Sequence, residues 1–145
     1  MAIFSPLTGA LTRQLAASTL DLISPTVLLM VQAYDFDANP GAQFVSDVAG
    51  PTTEAVGVTN YARAAASFGP ITISGLKAIN TWNDTSFGVL GGASNARLSG
   101  AYLFEDTGDD ATSPLMYAIP FLPQPATDGT AFVIRWSAPT ARCIQ

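Results

Sequence analysis

Ser99–Phe121 reads SGAYLFEDTGDDATSPLMYAIPF, the pattern of a β-hairpin. Ala101-Tyr102-Leu103-Phe104 makes one apolar, aromatic strand and Leu115-Met116-Tyr117-Ala118-Ile119 a second, a composition that suits a pleated, half-buried surface. Asp106, Thr107, Gly108, Asp109, Asp110, Ser113 and Pro114 lie between them. Such residues reverse a chain because Gly accepts positive φ, Asp bonds nearby backbone and Pro presets its own φ. Pro120 and Pro123 end the second strand, since proline has no N–H to give a ladder.

Outward from this hairpin the chain continues in short β-like segments. Thr26–Ala33, TVLLMVQA, is apolar at successive positions, which predicts a central strand buried on both faces. Ala62–Ser67, Ile71–Ser74, Ala78–Trp82 and Ser86–Leu90 are further strands, and Gly91–Asn95 is a loop. In Thr130–Trp136, Ala131, Val133 and Arg135 take one face while Phe132, Ile134 and Trp136 take the other. Phe44–Val48 reads as a short turn or helix. At the other end, Ser5-Pro6 looks like a helix start, with Ser as N-cap and Pro at the first helical position. Leu7, Leu11 and Leu15 follow at spacing four, predicting a helix from about Pro6 to Ala17. About seven or eight strands with turns every 8–12 residues predict a mainly all-β fold, a compact sandwich or barrel with one N-terminal helix. Residues 1–145 form a single domain with a short apolar N-terminal arm, 1–5.

Composition narrows the chemistry. The chain has 145 residues, enough to bury a real core. Charged residues are 12%, about half the usual share, which fits a surface partly used for contacts with other chains. The six bases (Arg13, Arg63, Lys77, Arg97, Arg135 and Arg142) stand singly against eleven acids. With no basic stripe to neutralise phosphates, nucleic acid is not an expected partner. The longest aliphatic run, Val27–Val31, falls far short of the roughly 20 residues of a membrane helix, and the N-terminus lacks the pattern of a secretion signal. No membrane partner is expected. Cys143 is the one cysteine and histidine is absent. Together these remove an internal disulfide, His-based triads and imidazole metal sites.

Four constellations invite a chemical role. Asp106-Thr107-Gly108, after Leu103-Phe104-Glu105, resembles the loop of the retroviral-type aspartic proteases, homodimers in which paired carboxylates share a proton and activate water. Glu105 stands where that loop has an apolar residue, and Asp109 and Asp110 add charge beside it. The supporting apolar-apolar-Gly, Val89-Leu90-Gly91, precedes the loop instead of following it. The alternative is a solvated acidic turn. Glu105, Asp106, Asp109 and Asp110 also offer oxygen ligands of the kind a hard cation takes. Asp35-Phe36-Asp37-Ala38-Asn39 opens like a calcium loop, but Pro40 replaces the required Gly and Ser46 the bidentate Glu. Trp82 and Trp136 either stack a sugar or belong to the core. No catalytic set, metal or cofactor is expected.

The hairpin carries a further likeness. Glu105-Asp106-Thr107-Gly108-Asp109-Asp110-Ala111-Thr112-Ser113-Pro114-Leu115, with an apolar strand on either side, is similar to a family of small structural proteins of tailed bacteriophages. Asp21-Leu22, Val27–Ala33, Phe44–Gly50, Asn60-Tyr61-Ala62-Arg63 and Gly129–Ala138 follow that family's order more loosely, so the resemblance spans most of residues 10–138. The family's first half is richer in lysine than this chain, where Lys77 stands alone. The resemblance implies a virion structural protein, most specifically a capsid decoration or cement protein on the capsid surface, assembled in the host cytoplasm. The partners it implies are the major capsid protein and copies of itself, with a homotrimer favoured. A tail, neck or fibre-base component is the alternative. Ile3 and Phe4, ahead of the expected helix, are the candidate partner-interface residues. They either staple onto that helix or bury into a neighbouring subunit.

Overall fold

The computed structural model of the chain describes residues 5–6, 25–35, 41–67, 72–74, 77–80, 82–136 and 140–142. These form a mainly β protein. Ten strands are described: β1 (Ser5–Pro6), β2 (Thr26–Met30), β3 (Ala64–Ala65), β4 (Thr72–Ser74), β5 (Lys77–Asn80), β6 (Thr85–Gly91), β7 (Gly100–Phe104), β8 (Leu115–Pro120), β9 (Asp128–Ile134) and β10 (Thr140–Arg142). A one-turn helix, α1, spans Val45–Val48, and a 3-10 turn spans Ala55–Gly57. Five strands make the main antiparallel sheet in the order β1-β8-β7-β2-β3, β6 pairs with β9, and β4, β5 and β10 form a small sheet in the order β10-β5-β4.

The main sheet is organised by its two central strands. Val27 lies opposite Leu103, Leu28 opposite Tyr102 and Leu29 opposite Ala101. Because side chains alternate along a strand, Val27, Leu29, Ala101 and Leu103 enter one core, which they share with Phe87, Leu90, Leu98 and Ile134. Leu28, Met30, Tyr102 and Phe104 enter a second core on the other face, closed by Ala42, Val45 and Val48 around α1. The unbroken apolar run of β2 thus has a partner layer on each side. Burying each such side chain contributes roughly 1.5–3 kcal/mol.

Two bulges tune which side chains reach the core. Leu103 pairs with Tyr117 but Phe104 with Leu115, so Met116 is an extra residue. Met116 and Tyr117 therefore both join the first core although they are consecutive. In the β6–β9 ribbon the register shifts between Ser86↔Val133 and Val89↔Ala131. Gly88, at φ +69°, is the extra residue, a conformation that suits glycine. Phe87 stays buried and meets Phe132 at 6.1 Å, while Val89 turns outward and is exposed.

The hairpin and the two faces of Thr130–Trp136 stand as the sequence predicts, and so does the central strand over Thr26–Met30, although Val31–Ala33, predicted to continue it, leave the sheet. Ser5-Pro6 does not start a helix; it runs as the outermost strand, with Ser5 opposite Ala118 and Pro6 opposite Tyr117. The φ of proline suits a first helical turn and an edge strand alike, and pairing with β8 decides between them. The rest of the predicted Pro6–Ala17 helix, and Ile3 and Phe4, lie outside the described residues. The one helix among the described residues is α1, where the sequence predicts a short turn or helix.

Gly100 of β7 lies opposite Pro120 of β8. A Cβ built there would lie 2.5 Å from the Ile119 carbonyl oxygen, so backbone would have to move. Gly100→Ala should therefore lower stability by about 1–3 kcal/mol, measured by urea denaturation, whereas Gly57→Ala, where an added Cβ meets open space, should change it little.

Candidate functional site: the clamped acidic turn

Residues 105–114 join β7 to β8 as a turn that is bonded throughout. Asp106 Oδ1 accepts from the Gly108 N–H at 2.9 Å, and Asp109 Oδ1 from the Ala111 N–H at 2.9 Å. These are side-chain closures of the kind that make Asp a turn residue. Ser113 is fully buried; its hydroxyl donates to the Asp109 carbonyl at 2.8 Å and accepts from the Thr107 N–H at 3.1 Å. The Thr107 hydroxyl lies 2.6 Å from that of Thr112. From outside, the Val45 N–H donates to the Ser113 carbonyl and the Ser46 N–H to the Asp110 carbonyl, at 2.9 and 3.0 Å. The start of α1 is thereby tied to the turn.

A second tie is ionic. Arg63 Nε and Nη2 each donate to Glu54 at 2.8 Å, and Nη1 and Nη2 donate to the two Asp110 oxygens. One guanidinium thus forks onto two carboxylates, a geometry that Lys cannot supply. It also lies 5.3 Å from the centroid of the Phe104 ring, a cation–π distance. Glu54 is only 5% exposed, Arg63 26% and Asp110 42%, so the network runs from the interior to the surface.

Its inner end reaches the central strand. The Tyr61 hydroxyl donates to Glu54 Oε1 at 2.7 Å and accepts from the Leu29 N–H at 3.0 Å. β3 covers only Thr26 and Val27 of β2, so Tyr61 takes over as partner at Leu29. Glu54 bridges Met30, and the Val31 N–H donates to the Thr53 carbonyl at 2.8 Å. Burial, with Glu54 beside it, pushes the Tyr61 phenol well above its usual range. The bonds to Glu54 and then Asp110 raise the Arg63 guanidinium further still. The bond from Arg63 holds the Asp110 carboxyl below the usual carboxylate range.

The other sequence candidates fall as follows. Asp106, Thr107 and Gly108 form the exposed tip of this turn. Asp110 is drawn from the acidic cluster to Arg63, and among the described residues no group of three or more acids, Cys or His is placed to hold a metal ion. Of the calcium-like loop, Asp35 is exposed, Ser46 lies within α1, and residues 36–40 lie outside the described residues. Trp82 and Trp136 do come together, 5.1 Å apart, and pack partly against the first core; Trp136 Nε1 donates to the buried Thr85 hydroxyl at 3.0 Å. Glu54, Tyr61 and Arg63 are the members sequence reasoning passes over as a site. Their one signal is that Glu54 is the sole acid between Asp47 and Asp84. Compared with known protein families, curated proteins and solved structures, the chain matches none.

The network sets a pair of stability predictions. Arg63→Met leaves the Glu54 carboxylate buried without its cation and should cost about 3–5 kcal/mol. Asp110→Asn removes a half-exposed, solvent-screened contact and should cost no more than about 1 kcal/mol at pH 7. Because the folded pKa of Asp110 lies below its unfolded value, its contribution is present above that value and is lost as pH falls through the folded one. The stabilities of native chain and Asp110→Asn in urea denaturation should therefore begin to converge as pH falls through about 4 and continue to do so down through the lowered folded pKa.

Proposed function

We propose that this chain is a bacteriophage virion structural protein, and within that class a capsid decoration or cement protein whose function is binding. The observation that carries this reading is the use made of the acidic turn. Asp106, Asp109 and Asp110 each spend carboxylate oxygens on holding the turn's shape, two on neighbouring N–H groups and one on Arg63. A hairpin fixed from within and from two sides presents a surface of set form. Residues 105–115, which contain this turn, carry the likeness to the phage structural family.

The β6–β9 ribbon adds a second surface suited to contact. Ser86, Val89, Ala131 and Val133 share its outer face, all exposed and none charged. Exposed apolar area bounded by polar residues is characteristic of interaction sites. The partners in this reading are the major capsid protein and copies of the chain, as a homotrimer on a symmetry axis, in the virion at the capsid surface. A protein that binds the assembled lattice in preference to free subunits stabilises the lattice by linkage at every occupied site. Symmetry repeats each contact around the axis.

Adding the purified chain to shells that lack it should raise the shell's melting temperature and produce ordered surface density when the particles are imaged. Density confined to the tail, neck or fibre base would overturn the capsid assignment in favour of those locations. Peptide cleavage that is sensitive to pepstatin and abolished by Asp106→Asn would overturn the binding reading and restore the protease.

A further inference from the structure

The β6–β9 ribbon turns one face into the first core and the other outward. Phe87, Leu90, Phe132 and Ile134 go inward. On the outer face Ser86 stands opposite Val133 and Val89 opposite Ala131, and all four are exposed. Val89 is 51% exposed and Val133 39%, among the few large apolar side chains left so open on the described residues. A Cβ built on Gly88, the bulge residue beside Val89, would meet no atom within 4 Å.

The charges of β9 lie at opposite ends of this face. Arg135 follows the strand at one end, its side chain 82% exposed. Asp128, also exposed, begins the strand at the other. Seven residues separate them, about 20 Å of bulged strand. Arg135 meets Asp84 at 3.9 Å, but both side chains are exposed, and such a pair is worth little. The guanidinium is thus open to a better-placed carboxylate. Asp128 Oδ1 accepts from the Thr130 hydroxyl at 2.6 Å, which holds the carboxylate in place.

A base at one end, an acid at the other and apolar surface between them form a self-complementary order. Turned about a two-fold axis between Ala131 and Val133, the face meets its own copy with Arg135 over Asp128 at both ends. Sheets packed face to face lie about 10 Å apart, a gap that an Arg and an Asp side chain span together. We propose that the ribbon face pairs with the same face of a second copy about such an axis, with an Arg135–Asp128 pair at each end. The occupant is a second copy because a surface of one charge would suit one end and repel the other. The paired area is small: two strands about 5 Å apart and about 20 Å long present about 200 Å² each, against roughly 800 Å² per partner in a stable complex. The contact therefore joins copies that other contacts already hold side by side. The proposed capsid role supplies those contacts, and the inference rests on that reading to this extent. A two-fold contact is isologous, so it does not close a trimer but links one trimer to the next.

The test uses the purified full chain and no virion, so its failure and the failure of the capsid reading are separate results. Ala131→Cys in a Cys143→Ser background puts one thiol near the axis. A short bismaleimide then traps pairs as covalent dimers at about 1 mM protein, where a contact of millimolar affinity is well populated. Pairing predicts a dimer yield several-fold above that of Gln124→Cys, an exposed site off the ribbon. The yield should fall as salt rises from about 0.05 to 0.5 M. Arg135→Asp or Asp128→Arg, added singly, sets like charges at both ends and should lower the yield about fivefold or more. Mixed in equal amounts, with one isotope-labelled, the two variants restore both pairs in the mixed dimer alone, which should exceed its statistical share by mass spectrometry. That recovery also shows that each variant is folded. A yield no higher than that of the Gln124→Cys control, or one indifferent to salt and to both charge changes, would overturn the proposal. So would a mixture that restores no dimer or gives the mixed dimer only at its statistical share.

Discussion

One guanidinium joins the interior of this protein to its most conspicuous surface feature. Arg63 meets Glu54 inside and Asp110 outside, while Tyr61 extends the chain of hydrogen bonds from Glu54 to the backbone of β2. A carboxylate buried as deeply as Glu54 is costly unless its charge is matched. The cation that matches it has donors left over, and those fix the turn. The position of the acidic turn therefore follows from a requirement of the core. Residues 53–63 also close the edge of the main sheet where β3 stops, so one short segment satisfies backbone, buried charge and turn together.

The sheet edges show a related economy. Natural sheets blunt their edges with very short strands, prolines and coverings, and among the described residues both edge strands of the main sheet are two residues long. On the β8 side a proline-containing dipeptide and residues 43–45 share the covering. On the β2 side, Ala64–Ala65, the Tyr61 hydroxyl and residues 53–54 do so. The β6–β9 ribbon differs, because Ser86, Val89, Ala131 and Val133 of its outer face stay exposed, with Arg135 and Asp84 just beyond the strand ends.

Much of the fold is legible in the sequence because its strongest signals are local. The apolar run of β2, the alternation in β9 and the Gly-, Asp- and Pro-rich turn each decide their own conformation within a few residues. Ser5-Pro6 is misread because the same two residues satisfy a helix start and an edge strand, and the deciding contact is with β8, more than a hundred positions away. The bulges at Met116 and Gly88 escape for a similar reason: a shift of register shows only in the partner strand. The turn itself is legible, but its clamp is not. Glu54 and Arg63 are nine residues apart on irregular chain, and Asp110 is 47 residues beyond Arg63, so no periodicity relates them.

The central position of β2 has a consequence for synthesis. Thr26-Val27-Leu28-Leu29-Met30 has neither charge nor proline, and its main partner β7 lies about 75 residues farther along. A chain made at 5–20 residues per second would leave this segment waiting roughly 4–15 s for that partner. Short, uncharged, β-prone segments exposed for such a time are the ones that pair with one another and aggregate. The hairpin β7–β8 can form as soon as its turn is made, since its contacts are local. The hazard to the nascent chain thus falls before Phe104 is added, and it is there that a chaperone or slowed translation would matter most.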